Sequence, residues 1–431
     1  MRLHTQIFIA MALAVICGAF TSVDSSFLGV SVLGTYDLIG TLFINALKMV
    51  VVPLIMSAII SSLISISGGE QLGRLGLKTL AYYMMTSFVA ILVGLLLVNL
   101  MTPGLIDGAP AGPSLGLSAD TATTLAKIEG RGAGDFAGIF LALLPPNIVQ
   151  AAANSELLGL IVFSLLFGLM LRKQTGTPAE RLRETVEGFY QTMMMITMFV
   201  IRFAPLGVWA LIAKTVTLTG SDAIGPLAWF FATTLLALAL HAFVVLPIII
   251  RVLGQRSPWR HFKAMSPAML TAFSSASSAA TLPLTMECVE KRSGVSSGTS
   301  SFVLPLGATV NMDGTALYEC VAAMFIAQAY GMDLSLTTQF LIVITALLTS
   351  VGVASIPSAS LVAITVILGA IGLPAEGIGL ILATDRILDM CRTAVNIWSD
   401  SVGAVVIGRS EGEENILLYD PDKLEAEAER S

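Results

Sequence analysis

A succession of apolar segments, each of about 20 residues or more, limits what this chain can fold into. Hydrophobic residues make up 55% of its 431 residues and charged residues 12%, and the mean hydropathy is +0.85. Only helices and closed barrels satisfy every backbone hydrogen bond inside a bilayer, and about 20 apolar residues cross it as a helix. The sequence therefore predicts an all-α, polytopic membrane protein and excludes a soluble globular one.

The apolar segments predict eight transmembrane helices and two polar, reentrant hairpins that enter the membrane and return. Several segments are longer than one crossing needs, so they must tilt or break, and Pro145-Pro146 marks a break in the fourth. The predicted transmembrane helices are residues 6–22, 39–66, 76–101, 137–171, 186–217, 225–253, 296–329 and 375–408, and the hairpins are residues 258–291 and 335–372.

The positions of lysine and arginine predict the orientation of the chain. If the N-terminus is cytoplasmic, nearly all basic residues that flank the membrane segments face the cytoplasm, whereas Lys127 and Arg131 lie on the opposite side. An excess of Lys and Arg is typical of cytoplasmic loops. We therefore expect both termini in the cytoplasm, a first helix that is retained, and a solvated acidic tail over residues 410–431.

Both hairpins carry small hydroxyl residues and a proline near their tips. The first reads Ser274-Ser-Ala-Ser-Ser-Ala-Ala-Thr-Leu-Pro283, and the second reads Thr349-Ser-Val-Gly-Val-Ala-Ser-Ile-Pro-Ser-Ala-Ser360. Such segments cannot face lipid, because their polar groups need partners. Since the hairpins enter from opposite sides and each precedes a polar helix, they form an inverted repeat. In secondary transporters this arrangement marks a substrate site near the middle of the membrane.

Polar residues share one face of the last predicted helix, at steps of 4, 3, 4 and 4 residues: Asp385, Asp389, Arg392, Asn396 and Asp400. A charge costs roughly 2.5–3.5 kcal/mol at the centre of a membrane, so this face predicts a hydrated or ligand-filled path. A salt-bridged seam between helices is the alternative, but three aspartates against one arginine leave negative charge that needs a cation. Arg392 has no other evident partner in the sequence, so we expect it to meet a substrate carboxylate.

The helix before the second hairpin carries glycines and polar residues in its middle. It reads Gly307-Ala-Thr-Val-Asn-Met-Asp-Gly-Thr315. Glycines loosen a helix, and freed carbonyls with carboxylates are hard oxygen ligands, so the pattern predicts a cation site at a helix break. A glycine-broken helix stabilised by packing alone is the alternative. The run is not a phosphate-binding loop, because no Gly-Lys-Ser/Thr follows it.

Together these motifs resemble those of the glutamate transporter family, sodium-coupled symporters of dicarboxylates and amino acids. The resemblance rests on Asn311-Met-Asp-Gly-Thr315, the serine-rich first hairpin and the last helix, and it covers about residues 6–410. Further matches, in order along the chain, are Lys48-Met49, Pro53, Tyr82-Tyr-Met-Met-Thr-Ser87 and Ala204-Pro-Leu-Gly-Val208.

The resemblance implies a homotrimer of elevator-type transporters, in which a mobile transport domain slides through the membrane against a fixed scaffold. The implied scaffold comprises residues 1–72 and 137–219, the transport domain comprises residues 73–101 and 220–409, an extracytoplasmic loop covers residues 102–136, and the tail covers residues 410–431.

The substrate contacts follow from the same resemblance. Arg392 would hold the side-chain carboxylate of an acidic substrate, which suits its planar, permanent cation, and Asp389 would hold the ammonium group. Asn396 and Thr393 would hold the main-chain carboxylate and amino groups. The pocket would be completed by Thr315, Ser277 and Ser278 and closed by the second hairpin at Ile356 to Ser360.

Three sodium sites are implied as well, built from the oxygen ligands that hard cations prefer. Their implied ligands are Asp400, Asn396, Asn311 and the Gly307 carbonyl at the first site, Asp313, Asn311, Tyr83, Thr86 and Ser87 at the second, and the backbone oxygens of Thr309, Ser350, Val351 and Val353 at the third.

Three positions distinguish this chain within the family. Ala276 and Met390 stand where many relatives carry an arginine, so we expect the pocket to lack that auxiliary cation. Glu319 matches animal members, whereas archaeal sodium-only members have a glutamine. A carboxyl group away from water favours its neutral form, which suits a proton carrier, and a permanently protonated structural glutamate is the alternative. The animal-like context also leaves potassium-assisted return of the empty carrier open.

The sequence therefore predicts a symporter that imports aspartate or glutamate with sodium, and with a proton through Glu319. A C4-dicarboxylate symporter is a weaker alternative because Asp389 would face no cation, and a neutral amino-acid carrier is weaker because Arg392 would face no carboxylate. An intramembrane hydrolase is disfavoured because the chain has no HExxH motif. The expected partners are the amino acid and membrane lipid, with no nucleic acid. The lack of Asn-x-Ser/Thr favours a bacterial or archaeal inner membrane.

Overall fold

The described part of the chain folds almost entirely into helices in this computed structural model. Two short antiparallel strand pairs connect some of them: β1 (Ser26–Phe27) with β2 (Val30–Ser31), and β3 (Leu105–Ile106) with β4 (Ala109–Pro110). The predicted all-α class is confirmed, while the number of membrane crossings stays a prediction. The structure describes residues 3–27, 29–65, 70–115, 144–153, 157–219, 224–332, 334–352, 360–373, 377–418 and 420–421.

The helix bounds place the breaks and hairpins that matter for the site. A short 3-10 turn covers Pro113–Leu115, and π-helical segments cover His241–Val245 and Cys288–Arg292. In chain order the α-helices are α1 (Leu3–Phe20), α2 (Val32–Ser65), α3 (Glu70–Met101), α4 (Ile148–Ala153), α5 (Leu157–Lys173), α6 (Thr177–Ile201), α7 (Ala204–Thr219), α8 (Ile224–Leu240), α9 (Leu246–Val252), α10 (Pro258–Ser275), α11 (Ser278–Glu287), α12 (Ser297–Val310), α13 (Asp313–Ala329), α14 (Leu336–Gly352), α15 (Ser360–Ile371) and α16 (Ile378–Ser410).

Helix α13 forms the centre of the packed core. Every residue from Asp313 to Ala329 is buried, and α3, α14 and α16 pack around it. Helices α8, α10 and α12 pack in turn on α16. Because α13 is covered on all sides, its polar side chains are directed at protein rather than at lipid, where they would be far more costly.

A second group of helices packs around α2. Helix α2 contacts α5, α6 and α7, and α1 lies along α7. These elements belong to the segments that the sequence assigns to the scaffold, and those around α13 belong to the segments assigned to the transport domain.

Among the described residues, two helical stretches are long and apolar enough to cross a membrane, Arg74–Met101 and Ile224–Val252. A third crossing arises if the bent pair Thr177–Val200 and Ala204–Leu218, whose axes differ by 49°, is counted as one span. The predicted span over residues 186–217 is therefore bent, as its excess length predicts, and its crossing of the membrane stays a prediction.

Pro205 accounts for this bend. Its ring carries no N–H, so it cannot donate to the carbonyl of Ile201 one turn earlier. The chain tightens instead, and the Phe203 N–H donates to the carbonyl oxygen of Val200 at 3.0 Å. Proline is well tolerated near a helix start, so α7 begins at Ala204.

The first predicted hairpin forms a helix–turn–helix, while its entry into the membrane stays a prediction. Helices α10 and α11 pack together, and Ala276 between them adopts a left-handed conformation with φ of 51°. Ser277 then caps α11 by accepting the Ala280 N–H at 3.3 Å. In the second hairpin, α14 packs on α15, and the predicted tip at residues 353–359 lies outside the described residues.

The predicted break in the helix at residues 307–315 is also confirmed. Helix α12 ends at Val310 and α13 begins at Asp313. Gly314 permits a close approach of α16, because a Cβ at this position would lie 2.7 Å from the carbonyl oxygen of Arg392. The break is therefore held directly against the helix that carries the charged face.

The segment after α16 is packed on the protein, and we call residues 411–418 the C-terminal strap. Ile416 and Leu417 are buried, and the Leu417 N–H donates to the carbonyl oxygen of Ser293 at 2.8 Å. Arg256 and Arg260 donate to carbonyl oxygens of the strap at distances from 2.5 to 3.2 Å. The prediction of a solvated tail is wrong for Ile416 and Leu417, whereas Gly412, Glu414, Asn415 and Leu418 are exposed, and residues 422–431 lie outside the described part.

Two glutamates attach the C-terminal strap to neighbouring elements. Hydrogen bonds from Lys78 at 2.5 Å and Arg74 at 2.6 Å hold the pKa of the Glu411 carboxyl below its ordinary value. Glu413 accepts the Ser296 N–H at 2.8 Å, the Ser296 hydroxyl at 2.6 Å and the Thr299 hydroxyl at 2.5 Å. Its carboxylate thus caps the start of α12, where unpaired N–H groups favour negative charge.

We expect Glu413→Gln to destabilise the protein by about 1–2 kcal/mol, because the helix loses its charged cap. Glu414→Gln is the matched control, since the Glu414 side chain is exposed. Thermal unfolding in detergent should show a lower midpoint for Glu413→Gln than for Glu414→Gln. Equal midpoints for the two variants would contradict the capping role.

Candidate substrate and cation site

Four charged side chains of α16 form a continuous network. Arg392 is fully buried, and its Nη2 donates to Asp385 Oδ1 at 3.0 Å and to Asp389 Oδ1 at 2.9 Å. Arg386 Nη1 donates to the other carboxylate oxygen of Asp389, Oδ2, at 3.3 Å. Opposite charges therefore alternate along the network, from Asp385 through Arg392 and Asp389 to Arg386.

The guanidinium of Arg392 is also held by two other helices. Its Nη1 donates to the hydroxyl of Ser360, the first residue of α15, at 2.6 Å. Its Cζ lies 3.9 Å from the ring centroid of Tyr318 on α13, in a cation–π arrangement. Within the described residues, the buried Nε of Arg392 has no hydrogen-bond partner. The cation is thus fixed in orientation, and its Nε–H is left for an incoming group.

These contacts overturn three expectations. Arg392 does have partners in the protein, because Asp385 and Asp389 both bind it. Arg386 adds a second arginine to the charged face, so three aspartates do not stand against one arginine. Asp389 also faces cations before any ammonium group arrives. Arg386 lies three residues before Asp389, and this i, i+3 spacing on a helix is the sequence feature that indicates their ion pair.

Asn396 joins α16 to the helix break. Its Nδ2 donates to Thr315 Oγ1 at 3.1 Å, and its Oδ1 accepts the Gly314 N–H at 2.8 Å. The side chain of Asn396 is therefore shared with the predicted substrate residue Thr315. No bond to Asp400 is seen for this side chain among the described residues.

The remaining predicted substrate residues are positioned by α16 and the first hairpin. The Thr393 hydroxyl donates to the carbonyl oxygen of Asp389 at 2.8 Å within α16. Ser277 and Ser278 lie at the start of α11, which packs against α16. Ile356 lies outside the described residues.

Asp400 lies against the end of α12. Its side chain is buried, and Asn311 Nδ2 donates to its Oδ1 at 2.9 Å. Gly307 makes room for it, because a Cβ at this position would lie 2.6 Å from Asp400 Oδ1 and 2.6 Å from the Tyr83 hydroxyl. Asp400, Asn311 and Gly307, predicted as one cation site, are thus brought together.

Asp313 is the other buried acid at the break. Ser87 Oγ donates to its Oδ1 at 2.7 Å, Ser399 Oγ donates to its Oδ2 at 2.7 Å, and His241 Nε2 lies 3.0 Å from Oδ2. A hydroxyl group both donates and accepts, so the two serines can turn their oxygens to a cation that binds Asp313.

The rest of the predicted second sodium site is partly assembled. The Thr86 hydroxyl donates to Asn311 Oδ1 at 3.3 Å, which links it to the break. The Tyr83 hydroxyl donates to the carbonyl oxygen of Val303 at 2.8 Å and is not seen to contact Asp313 in the described part of the chain.

Two residues next to Asp313 were not predicted from the sequence, His241 and Ser399. His241 is an ionisable residue inside an apolar span, which by itself indicates a functional position. Ser399 immediately precedes Asp400 on a helix already identified as polar. Neither position identifies Asp313 as the partner, because that requires the packing of α8 and α16 on α13.

The predicted third sodium site is described in part. Thr309 and Ser350 donate their hydroxyls to carbonyls of their own helices, Leu306 at 3.0 Å and Leu347 at 2.9 Å, and α12 contacts α14. Val351 lies near the end of α14, and Val353 lies outside the described residues. Across the described ranges, no group of three or more His, Cys, Asp or Glu could hold a metal ion.

Glu319 is fully buried in α13, one helical turn after Thr315. The hydroxyl of Thr349 lies 2.9 Å from Glu319 Oε2 but also 2.8 Å from the carbonyl oxygen of Thr345. A hydroxyl has one proton to donate, so when Thr349 donates to the helix backbone, its contact with Glu319 needs a proton on the carboxyl group. Glu319 Oε1 has no partner in the described part of the structure. The geometry suits a protonated Glu319.

A helical protein with a buried cluster of charged side chains at a helix break has the construction of a membrane transporter rather than that of an enzyme. The chain belongs to the sodium:dicarboxylate symporter family, which it matches over residues 3–410. It is therefore an integral membrane protein of a family of symporters.

Relatives of known name cover almost the whole chain. A proton/glutamate-aspartate symporter of Escherichia coli K12 is 36% identical over 94% of this chain and 92% of that protein. A proton/sodium-glutamate symport protein of Bacillus subtilis is 34% identical over 98% and 95%. The human excitatory amino acid transporter 3 is 32% identical over 85% and 78%. The resemblance to the glutamate transporter family is thereby confirmed.

Proposed function

We propose that this protein is a secondary active symporter that imports aspartate or glutamate together with sodium ions and a proton. The names of the relatives support acidic amino acids as substrates and protons and sodium as coupled cations, and the proposal is limited to these two cations. The observation that carries the substrate class is Arg392, a buried, oriented cation whose Nε has no partner among the described residues.

Substrate binding would proceed by exchange of partners within the charged network. The side-chain carboxylate would bind the guanidinium of Arg392, whose plane is set by Tyr318 and Ser360. The ammonium group would bind Asp389. Asn396 and Thr393 would hold the main-chain groups, with Ser277, Ser278 and Thr315 around them and the second hairpin, from Ile356 to Ser360, as the gate.

Coupling to sodium is supported by the connection between the acids and the break. Asn311 bonds Asp400 and Thr86, and Gly314, next to Asp313, bonds Asn396. A cation at either acid would therefore change the positions of groups that also set the substrate pocket. Binding of sodium and of substrate is coupled only if binding of one changes the free energy of binding of the other, and these shared groups provide that connection.

Movement of the pocket across the membrane would follow the elevator mechanism in a homotrimer. The packing of the helices into two groups, one around α2 and one around α13, supports the proposed scaffold and transport domain. The proposed setting is a bacterial or archaeal inner membrane with both termini in the cytoplasm. Arg256 and Arg260 at the C-terminal strap support that orientation, since cytoplasmic segments are rich in basic residues.

A C4-dicarboxylate symporter is the second candidate, and one observation favours it. Arg386 and Arg392 already neutralise Asp389, so a dicarboxylate without an ammonium group would not leave a buried acid uncompensated.

Uptake into proteoliposomes tests the proposal. Labelled aspartate, glutamate and succinate should be offered under sodium and proton gradients imposed one at a time, with choline as the control cation. We expect sodium-dependent uptake of aspartate or glutamate that exceeds succinate uptake. Succinate uptake that exceeds both amino acids would favour the second candidate.

We expect Glu319→Gln to preserve substrate binding and exchange of internal for external substrate, because glutamine mimics the protonated acid. Net uptake in the wild type should fall as external pH rises, and in Glu319→Gln this dependence should disappear. Thr349→Val is the matched control, since it removes the neighbouring hydroxyl and keeps the carboxyl group. A well-expressed Glu319→Gln protein with wild-type pH dependence would show that the proton binds elsewhere.

A further inference from the structure

Arg386 is a buried cation in the pocket to which the substrate scheme assigns no role. It is 5% exposed, lies on the same helix as the substrate residues, and contacts Asp389 through Nη1. Its Nε is buried without a hydrogen-bond partner in the described ranges. A buried arginine whose hydrogen bonding is incomplete is costly, so its retention in the pocket calls for an explanation.

The charges of the network balance before any ligand binds. Asp385 and Asp389 carry two negative charges, and Arg386 and Arg392 carry two positive charges. An acidic amino acid adds two carboxylates and one ammonium group, whereas a plain dicarboxylate adds two carboxylates alone. Whether Asp389 needs the substrate ammonium group as a counter-charge therefore depends on Arg386.

The lengths of the two arginine bonds to Asp389 indicate which arginine is displaced more easily. Arg392 binds Asp389 Oδ1 at 2.9 Å, but Arg386 binds Oδ2 at 3.3 Å. A charge-assisted N–H···O bond is ordinarily about 2.7–2.9 Å long, so the bond from Arg386 is the weaker one. An incoming ammonium group can take its place on Oδ2 without disturbing Arg392.

We propose that Arg386 is a displaceable counter-ion for Asp389 that occupies the place of the substrate ammonium in the empty pocket. It thereby sets the discrimination between acidic amino acids and dicarboxylates that lack an amino group. The inference rests on the proposed function. With Arg386 present, succinate can bind while Asp389 stays neutralised. Without it, succinate adds negative charge beside an acid that has lost one of its two arginine partners.

The test compares Arg386→Met and Arg386→Lys with the wild type in proteoliposomes. The readout is the ratio of the succinate to the aspartate inhibition constant, measured by competition against labelled aspartate. We expect the ratio to rise about tenfold or more in Arg386→Met, chiefly through weaker succinate inhibition. Without Arg386, the negative charge of Asp389 opposes succinate, whereas the ammonium group of aspartate compensates that charge. Arg386→Lys keeps the charge and should restore a ratio close to that of the wild type.

A double mutant tests whether Arg386 acts through Asp389. In an Asp389→Asn background, Arg386 has no acid to neutralise, so adding Arg386→Met should leave the ratio unchanged. An unchanged ratio in the single Arg386→Met variant, with both ligands weakened equally, would overturn the inference and make Arg386 a structural or direct carboxylate-binding residue. Absence of succinate inhibition in the wild type would also overturn it. Failure of the wild type to bind aspartate would instead remove the proposed function itself.

Discussion

Replacing Arg392 by alanine is expected to abolish aspartate and glutamate uptake, with the apparent affinity reduced at least about a hundredfold. The substrate carboxylate loses its bidentate cation, and Asp385 and Asp389 lose the guanidinium that joins them. The emptied site, with an excess of negative charge, should also repel a second carboxylate. Binding of labelled aspartate to purified protein and uptake into proteoliposomes measure the two effects separately.

The controls for this variant distinguish lost recognition from lost folding. Arg181→Ala removes an exposed arginine and should leave uptake unchanged. Arg392→Lys keeps a positive charge for the two aspartates but not the planar fork, so it should fold better than the alanine variant and still bind acidic substrates poorly. Weak uptake of neutral amino acids by Arg392→Ala would support the assignment. Near-wild-type aspartate affinity, at normal levels in the membrane, would contradict it.

The sequence predicts the parts of this protein that depend on local pattern. Apolar length predicts the helices, the i, i+3 and i+4 spacing predicts the charged face of α16, and the glycines at 307 and 314 predict the break that the structure places between Val310 and Asp313. Each of these features depends on residues close together in the chain, and the costs of burying polar groups in lipid leave few alternatives.

The pairing of distant groups was not predictable in the same way. His241 binds Asp313 and Arg256 binds the C-terminal strap because α8, α16 and the first hairpin are packed side by side, which no local pattern specifies. Arg386 is a different case, because it lies three residues before Asp389, and this local spacing by itself indicates the ion pair that the structure shows.

Sodium dependence should weaken when either buried acid at the break is neutralised. We expect Asp313→Asn and Asp400→Asn each to raise the sodium concentration for half-maximal aspartate uptake about tenfold or more, because a full negative charge is lost where little water can replace it. Asp37→Asn is the matched control, since Asp37 pairs with Lys214 in an exposed salt bridge. It should leave the sodium dependence unchanged.

The two variants should also differ from each other in stability. Asp313 accepts hydrogen bonds from Ser87 and Ser399 and lies against His241, so an amide at this position turns one acceptor into a donor, and a group that donates to that atom must turn to accept. In the described residues, Asp400 is bonded by Asn311 alone and loses less. Thermal unfolding should therefore show Asp313→Asn as the less stable variant without sodium. Uptake that proceeds equally in choline and sodium media, under a proton gradient alone, would contradict the cation assignment and favour a protein coupled to protons only.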